Sequence, residues 1–75
     1  MIFEKVKYLK STNHKFDYMI GEVGSLKLKE GYSAEFANLK VWLVTSIIES
    51  VDIEGDIITL KTLNSTYTFM NYLGE

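Results

Sequence analysis

The fold class of this chain is decided by residues 41–73, which read VWLVTSIIESVDIEGDIITLKTLNSTYTFMNYL. This stretch contains three runs rich in β-branched and aromatic residues, and two short groups of turn-forming residues separate them. Gly55 lies in the first group and can supply the positive φ that a tight hairpin requires. Asn64 lies in the second group and can adopt the left-handed conformation in a turn. We therefore predict a three-stranded antiparallel meander over residues 41–73.

The first of these runs is too long to keep one alternation of buried and exposed side chains. Its apolar residues form two sets of opposite parity: Trp42, Val44 and Ile48, and then Val51 and Ile53. A β-bulge near residues 49–50 would bring both sets to the core face and bend the strand. In the next two runs, the side chains expected to face the core are Ile58, Leu60, Tyr67 and Phe69.

The N-terminal half has weaker patterns. The expected elements, in chain order, are a strand over residues 2–9, a loop over 11–14, a short strand over 16–20, a turn or bulge over 21–24, and a strand through Leu26 and Leu28. A helical stripe also fits residues 2–9, but their β-branched and aromatic content favours a strand. Ser33 is expected to cap one helical turn anchored by Phe36. Residues 1–75 are thus predicted to form a single mainly β domain, either an antiparallel meander or a small open β-barrel with at most one short helical turn.

Composition removes several classes of function. The chain has 75 residues and no Cys, which excludes a disulfide scaffold, a thiolate zinc site and a cysteine nucleophile. The single His, His14, falls in a polar loop with no recognisable partner for general base catalysis. No Gly-x-Ser-x-Gly motif surrounds any serine. We therefore expect no enzymatic activity and no cofactor.

The basic residues favour one alternative function. All eight are Lys, the net charge is −2, and residues 1–40 hold seven of the Lys against five acids. Four of these lysines are interleaved with three aromatic residues: Lys5, Lys7, Lys10 and Lys15, with Phe3, Tyr8 and Phe16. Such a strip can bind nucleic acid, with aromatic rings stacking on bases and Lys contacting phosphates. The absence of Arg weakens this interpretation, and a solvated edge strand rich in Lys fits the same residues.

An acidic cluster surrounds the first predicted hairpin turn and consists of Glu49, Asp52, Glu54 and Asp56. Three of its members have the 1,3,5 spacing of a calcium-binding loop. The rest of that pattern is missing, because a glycine falls at position 4 rather than 6 and Leu63 replaces the final Glu. The cluster therefore fits an ordinary polar turn or an acidic docking surface better than a metal site.

Two segments of the predicted meander carry a resemblance. They are TSII at residues 45–48 and TLNSTYTF at residues 62–69, on either side of the acidic hairpin. They resemble short uncharacterised proteins of bacteria, their phages and mobile elements that share a Thr-Ser … Thr-x-Asn-Ser-x-Tyr signature. The resemblance implies a small β fold and assigns no catalytic residue.

The function expected from the sequence is a small non-enzymatic protein-interaction module, encoded by a phage or other mobile element. Its partner is expected to be another protein, or a second copy bound through an edge strand, and nucleic acid is the alternative partner. The expected contact residues are the four hairpin acids and Tyr72. Residues 41–48 form an uncharged, mostly apolar run that is too short to span a bilayer. We therefore expect a cytoplasmic protein with no membrane association.

Overall fold

The computed structural model describes residues 1–72, which form six strands and one short 3₁₀ helix. In chain order these are β1 (Ile2–Ser11), the 3₁₀ helix (His14–Met19), β2 (Val23–Lys27), β3 (Ser33–Ala37), β4 (Trp42–Glu54), β5 (Ile57–Thr62) and β6 (Thr66–Asn71). Each strand pairs antiparallel with the next along the chain, and β1 also pairs with β6, so that the sheet closes into a ring. The predicted mainly β class and the antiparallel meander are confirmed.

Two long strands bend and serve both halves of the ring. β1 pairs with β2 through residues 2–7 and with β6 through residues 6–11. β4 pairs with β3 through residues 42–47 and with β5 through residues 48–54. The strand predicted over residues 2–9 is confirmed as part of β1. The fold therefore consists of two three-stranded meanders that enclose one core.

Aromatic rings fill the centre of this core. Tyr8, Phe36 and Phe69 are almost fully buried, and their ring centroids lie 5.4 to 6.0 Å apart. Fully burying a side chain of this size contributes about 2 kcal/mol to the free energy of unfolding. Ile58, Leu60, Tyr67 and Phe69 are all buried, as predicted.

β4 contains two bulges. One β4 residue is extra between Ile48 and Ser50, relative to β5, and this confirms the bulge predicted at residues 49–50. A second extra residue lies between Val44 and Ile47, relative to β3. This extra residue reverses which side chains face the core in the part of β4 before it. The buried residues of this part and the next are therefore Leu43, Thr45 and Ile48.

This second bulge makes part of the predicted core wrong. Trp42 and Val44 share their parity with Ile48 in the sequence, but they lie on the outer face and are 68% and 52% exposed. Val51 packs against the core as predicted. Ile53, predicted to accompany it, is exposed near the end of β4.

Two local predictions in the N-terminal half are also wrong. Residues 16–20 were expected as a strand, but they lie mostly in the 3₁₀ helix, where Phe16 and Met19, three residues apart, both pack on the core. Residues 33–37 were expected as a helical turn, but they form β3. In β3 the burial of Ala34 and Phe36 follows a period of two, because this strand pairs with both β2 and β4.

The turn between β4 and β5 has the conformation that the sequence predicts, whereas the turn before β6 is held by different contacts. Gly55 has a φ of +60°, as predicted for the turn between β4 and β5. Among residues 1–72 only glycines have positive φ, so Asn64 does not adopt the left-handed conformation that is open to it. The turn before β6 is held instead by Thr62, whose Oγ1 accepts from the Ser65 N–H over 3.1 Å and donates to the Ser65 carbonyl oxygen over 2.8 Å.

Candidate interaction surface

The first half of β4 has one open side. Residues 42–47 pair with β3, and the pairing of β4 with β5 starts only at Ile48. Within the described part of the chain, no strand other than β3 and β5 contacts β4. The side of residues 42–46 that faces away from β3 is therefore a sheet edge.

The backbone of Trp42 and Val44 points to this edge. Successive residues of an antiparallel strand direct their N–H and C=O groups alternately toward and away from a given neighbour. The Asn38 N–H donates to the Val41 carbonyl over 3.0 Å, so Val41 faces β3 and Leu43 does so next. Trp42 and Val44 consequently present two N–H and two C=O groups to the open side.

Apolar side chains border these open backbone groups. The exposed members are Leu39, Trp42, Val44, Ile47 and Leu63. Leu63 joins this group because its N–H donates to the Ile47 carbonyl over 3.0 Å. We call the open backbone groups of Trp42 and Val44, together with these five side chains, the Trp42 edge. Exposed sheet edges usually carry a charged residue, most often Lys, or a Pro, and either one prevents pairing with another strand. Residues 41–48 contain no charged residue and no Pro.

Trp42 is held in place although it is exposed. Its indole Nε1 donates a hydrogen bond of 2.6 Å to a carboxylate oxygen of Glu35, on β3. A hydrogen bond to an ionised acceptor is stronger than a neutral one. This hydrogen bond restrains the orientation of the exposed ring.

A chain of hydroxyl groups supports the bulge behind the Trp42 edge. The buried Thr45 Oγ1 accepts from the Ala34 N–H over 3.0 Å and donates to the Ser46 carbonyl over 2.7 Å. At the bulge, the Thr45 hydroxyl thereby serves as the acceptor for the Ala34 N–H in place of a backbone carbonyl of β4. The Ser46 hydroxyl in turn donates to Thr62 Oγ1 over 3.0 Å. Thr45, Ser46, Thr62 and Ser65 thus form one hydrogen-bonded chain that joins β3, β4, β5 and the following turn.

The four acids predicted as contact residues lie on the second half of β4 and in its hairpin turn. Glu49, Asp52, Glu54 and Asp56 are all exposed. Among residues 1–72, no three acidic or His side chains are grouped closely enough to hold a metal ion. These acids therefore form a charged surface at the opposite end of β4 from Trp42.

Tyr72 reaches the same end of the molecule as the acids. The Asn71 N–H donates to the Asp56 carbonyl over 2.7 Å, and the Tyr72 N–H donates to the Lys5 carbonyl over 2.9 Å. The Tyr72 ring is half-buried, and the ammonium nitrogens of Lys5 and Lys7 lie 5.5 and 5.4 Å from its centroid. Its surroundings are therefore basic, in contrast to the acids across the hairpin.

The aromatic residues of the N-terminal basic strip face inward. Tyr8 is fully buried, and Phe3 and Phe16 are partly buried against the core. Their rings are therefore not placed to stack on nucleic-acid bases, which weakens the nucleic-acid alternative. Lys5, Lys10 and Lys15 remain exposed.

His14 has a carboxylate neighbour in the structure. Its Nδ1 lies 3.1 Å from a carboxylate oxygen of Asp17, one turn along the 3₁₀ helix. Both side chains are largely in solvent, where such a pair contributes little to stability. His14 lines a groove of about 620 Å³, together with residues 10–12 and residues of β5 and β6.

The sequence did not indicate that Trp42 belongs to a surface. The available signal is the Thr45-Ser46 pair, two polar residues inside an otherwise apolar run, which mark the bulge that reverses the parity of Trp42 and Val44.

No family model, curated protein or solved structure matches this chain. Over residues 1–72, the structure contains no helix long and apolar enough to span a membrane.

Proposed function

We propose that this protein is a non-enzymatic protein-interaction module that binds its partner by strand addition at the Trp42 edge. The observation that carries the proposal is the open side of β4, where Trp42 and Val44 present unpaired backbone groups beside exposed apolar side chains. Strand addition uses main-chain hydrogen bonds for affinity and flanking side chains for specificity. Trp is also the residue type most enriched among side chains that dominate binding energy.

The acidic hairpin and Tyr72 have a secondary role in this proposal. Charges outside the centre of an interface change the association rate more than the affinity. Glu49, Asp52, Glu54 and Asp56 lie at the other end of β4 from the Trp42 edge, so they would affect how fast a charged partner approaches rather than how tightly it binds. The resemblance to small phage and mobile-element proteins leads us to propose a cytoplasmic bacterial setting for this role.

The proposal is tested by selection from a library of short unstructured peptides, with the chain kept dilute. The wild-type chain is expected to capture extended apolar peptides. Val44→Lys should abolish capture, because a charge on an open strand prevents pairing. The new lysine would lie directly opposite Glu35 on β3. Opposite charges at such a position stabilise the strand pair, so this variant should fold.

Thr59→Lys is the matched control, because it makes the same charge change on the outer face of β5, away from the Trp42 edge. It should capture the same peptides as the wild-type chain. Equal capture by wild type and Val44→Lys would contradict the proposal, and so would no capture by the wild-type chain combined with a strictly monomeric state.

Nucleic-acid binding remains the second candidate function, and the observation that favours it is the exposed lysines of β1. Lys5 and Lys10 can contact phosphates without help from aromatic rings. Binding of this kind weakens steeply with salt, because each neutralised phosphate releases counterions. A gel-shift assay in low salt decides the matter: a shift lost in Lys5→Ala/Lys10→Ala supports this function, and no shift removes it.

A further inference from the structure

We infer that the partner at the Trp42 edge is a second copy of this chain, joined by antiparallel pairing of β4 with β4 about a two-fold axis beside Leu43. The inference rests on the proposed function and names its partner. A two-fold axis lets the same surface serve on both copies, which is the commonest arrangement of protein dimers.

The open backbone groups determine the register of this pair. Each copy offers the N–H and C=O of Trp42 and of Val44 at the edge. An axis beside Leu43 places Trp42 of one copy opposite Val44 of the other, and vice versa. Each opposed pair exchanges two hydrogen bonds, so all four open groups of both copies are used.

A neighbouring register is less favourable. An axis beside Val44 would place Trp42 opposite Ser46 of the other copy. The Ser46 carbonyl already accepts a hydrogen bond from Thr45 Oγ1 over 2.7 Å, inside the bulge. That register would therefore pair one open residue with a residue whose backbone is already engaged.

The side chains of the Trp42 edge match themselves in the Leu43 register. Trp42 and Val44 share the outer face, so each indole would pack against the valine of the other copy. Pairs of an aromatic and a β-branched residue stabilise adjacent strands.

The charges also favour a second copy. Residues 41–48 carry no charge, so antiparallel pairing of this segment with itself brings no like charges into contact. The four acids of the hairpin lie beyond the bulge between Val44 and Ile47, from Glu49 to the hairpin turn. Glu35 is on β3 and keeps its hydrogen bond to Trp42 within each copy. The result is a continuous sheet in the order β3, β4, β4, β3.

The test measures the molar mass of the full chain by sedimentation equilibrium over a range of concentrations. The wild-type chain is expected to dimerise. Trp42→Thr should weaken the dimer by about tenfold or more, as expected for loss of a central aromatic contact. Tyr18→Thr is the matched control, because Tyr18 is 69% exposed against 68% for Trp42 and lies on the 3₁₀ helix, away from the edge. It should dimerise like the wild type.

Fluorescence gives a second measurement, because Trp42 is the only tryptophan. Its emission should shift to shorter wavelength as the concentration of wild-type chain rises and the indole becomes buried. Val44→Lys keeps the tryptophan and should show no such shift, so the inference stays testable if Trp42→Thr fails to fold.

Two results would overturn the inference: a wild-type chain that stays monomeric at all concentrations, or a dimer that survives both substitutions unchanged. A monomer that captures extended peptides at the Trp42 edge would overturn the second copy and leave the proposed function standing. A monomer that captures nothing would overturn both.

Discussion

The indole nitrogen of Trp42 donates a hydrogen bond of 2.6 Å to the Glu35 carboxylate, while 68% of the tryptophan side chain remains exposed. A large apolar ring in solvent has a fixed orientation only if something holds it, and here the neighbouring strand does so. The ring lies on the outer face of β4, in the part of this strand that has β3 on one side and no strand on the other. This relationship is the basis for assigning an interaction role to a surface that the sequence pattern alone places in the core.

Glu35→Ala tests how the ring is held. Loss of the carboxylate should release the indole, so we expect lower steady-state anisotropy of Trp42 fluorescence in the dilute monomer. The cost in stability should be small, about 0.5 kcal/mol, because the hydrogen bond is exposed to solvent. Glu49→Ala removes an exposed carboxylate further along β4 and should leave the anisotropy unchanged. Equal anisotropy in both variants would show that the hydrogen bond does not restrain the ring.

Thr45→Val tests the support of the bulge. Valine keeps the shape of the side chain but leaves the buried Ala34 N–H without its acceptor. We expect a loss of about 1–3 kcal/mol in the free energy of unfolding, measured by urea denaturation. Thr45→Ser keeps the hydroxyl and removes one methyl group, so it should cost only about 1 kcal/mol. If serine is the more damaging of the two, the hydroxyl does not stabilise the bulge.

The C-terminal meander illustrates what sequence patterns capture well. Gly55 marks the first hairpin, and simple alternation identifies Ile58, Leu60, Tyr67 and Phe69 as buried. These signals are local, because two regular strands joined by a tight turn have their inward residues at every second position. Nothing distant has to be known to interpret them.

The misassigned segments depend on distant contacts. β3 is a strand because it pairs with β2 on one side and with β4 on the other. The five residues of β3 contain no sequence pattern that indicates these neighbours. The 3₁₀ helix forms because Phe16 and Met19 both reach the core between β1 and β2. The Trp42 edge was missed for a related reason, since a bulge stabilised by Thr45 and its hydrogen bond to β3 reverses the alternation.

Tyr8→Phe tests a buried polar group. The Tyr8 hydroxyl is the one buried side-chain oxygen or nitrogen without a hydrogen-bond partner of good geometry in the described structure. Removing it should leave the stability at neutral pH unchanged or raise it by about 1 kcal/mol. Thermal denaturation near pH 7 measures this change. A clear loss of stability would show that the hydroxyl makes a favourable interaction, for which the nearby Ser11 is the candidate.

The same variant should change the response to alkali. Burial raises the pKa of Tyr8 above its ordinary value of 10.0, and the Ser11 side chain opposes this only in part. As pH rises past 10.0 the unfolded chain releases this proton before the folded chain does, so stability falls with pH. Tyr8→Phe should therefore lose less stability above pH 10.0 than the wild type. An identical alkaline decline in both chains would contradict the raised pKa.

Gly24→Ala tests a close approach of two strands. A Cβ at Gly24, on β2, would overlap the carbonyl oxygen of Ala37 on β3. Overpacking of this kind costs about 1–3 kcal/mol or more, since backbone rather than a flexible side chain has to move. Gly31→Ala is the comparison, because its Cβ would meet no atom within 4 Å and only its φ of +87° opposes the change, by about 1–2 kcal/mol. Urea denaturation should rank Gly24→Ala as the more damaging substitution, and the reverse order would contradict the close packing of β2 on β3.

The most direct test of the central claim is amide hydrogen exchange at residues 42–44, followed by NMR at low and high protein concentration. In the dilute sample the Leu43 N–H, which faces β3, should be protected, whereas the N–H groups of Trp42 and Val44 should exchange freely. In the concentrated sample all three should be protected, because β4 of one copy pairs with β4 of another. Exchange at Trp42 and Val44 that does not change with concentration would contradict the claim that this open edge pairs with a second copy.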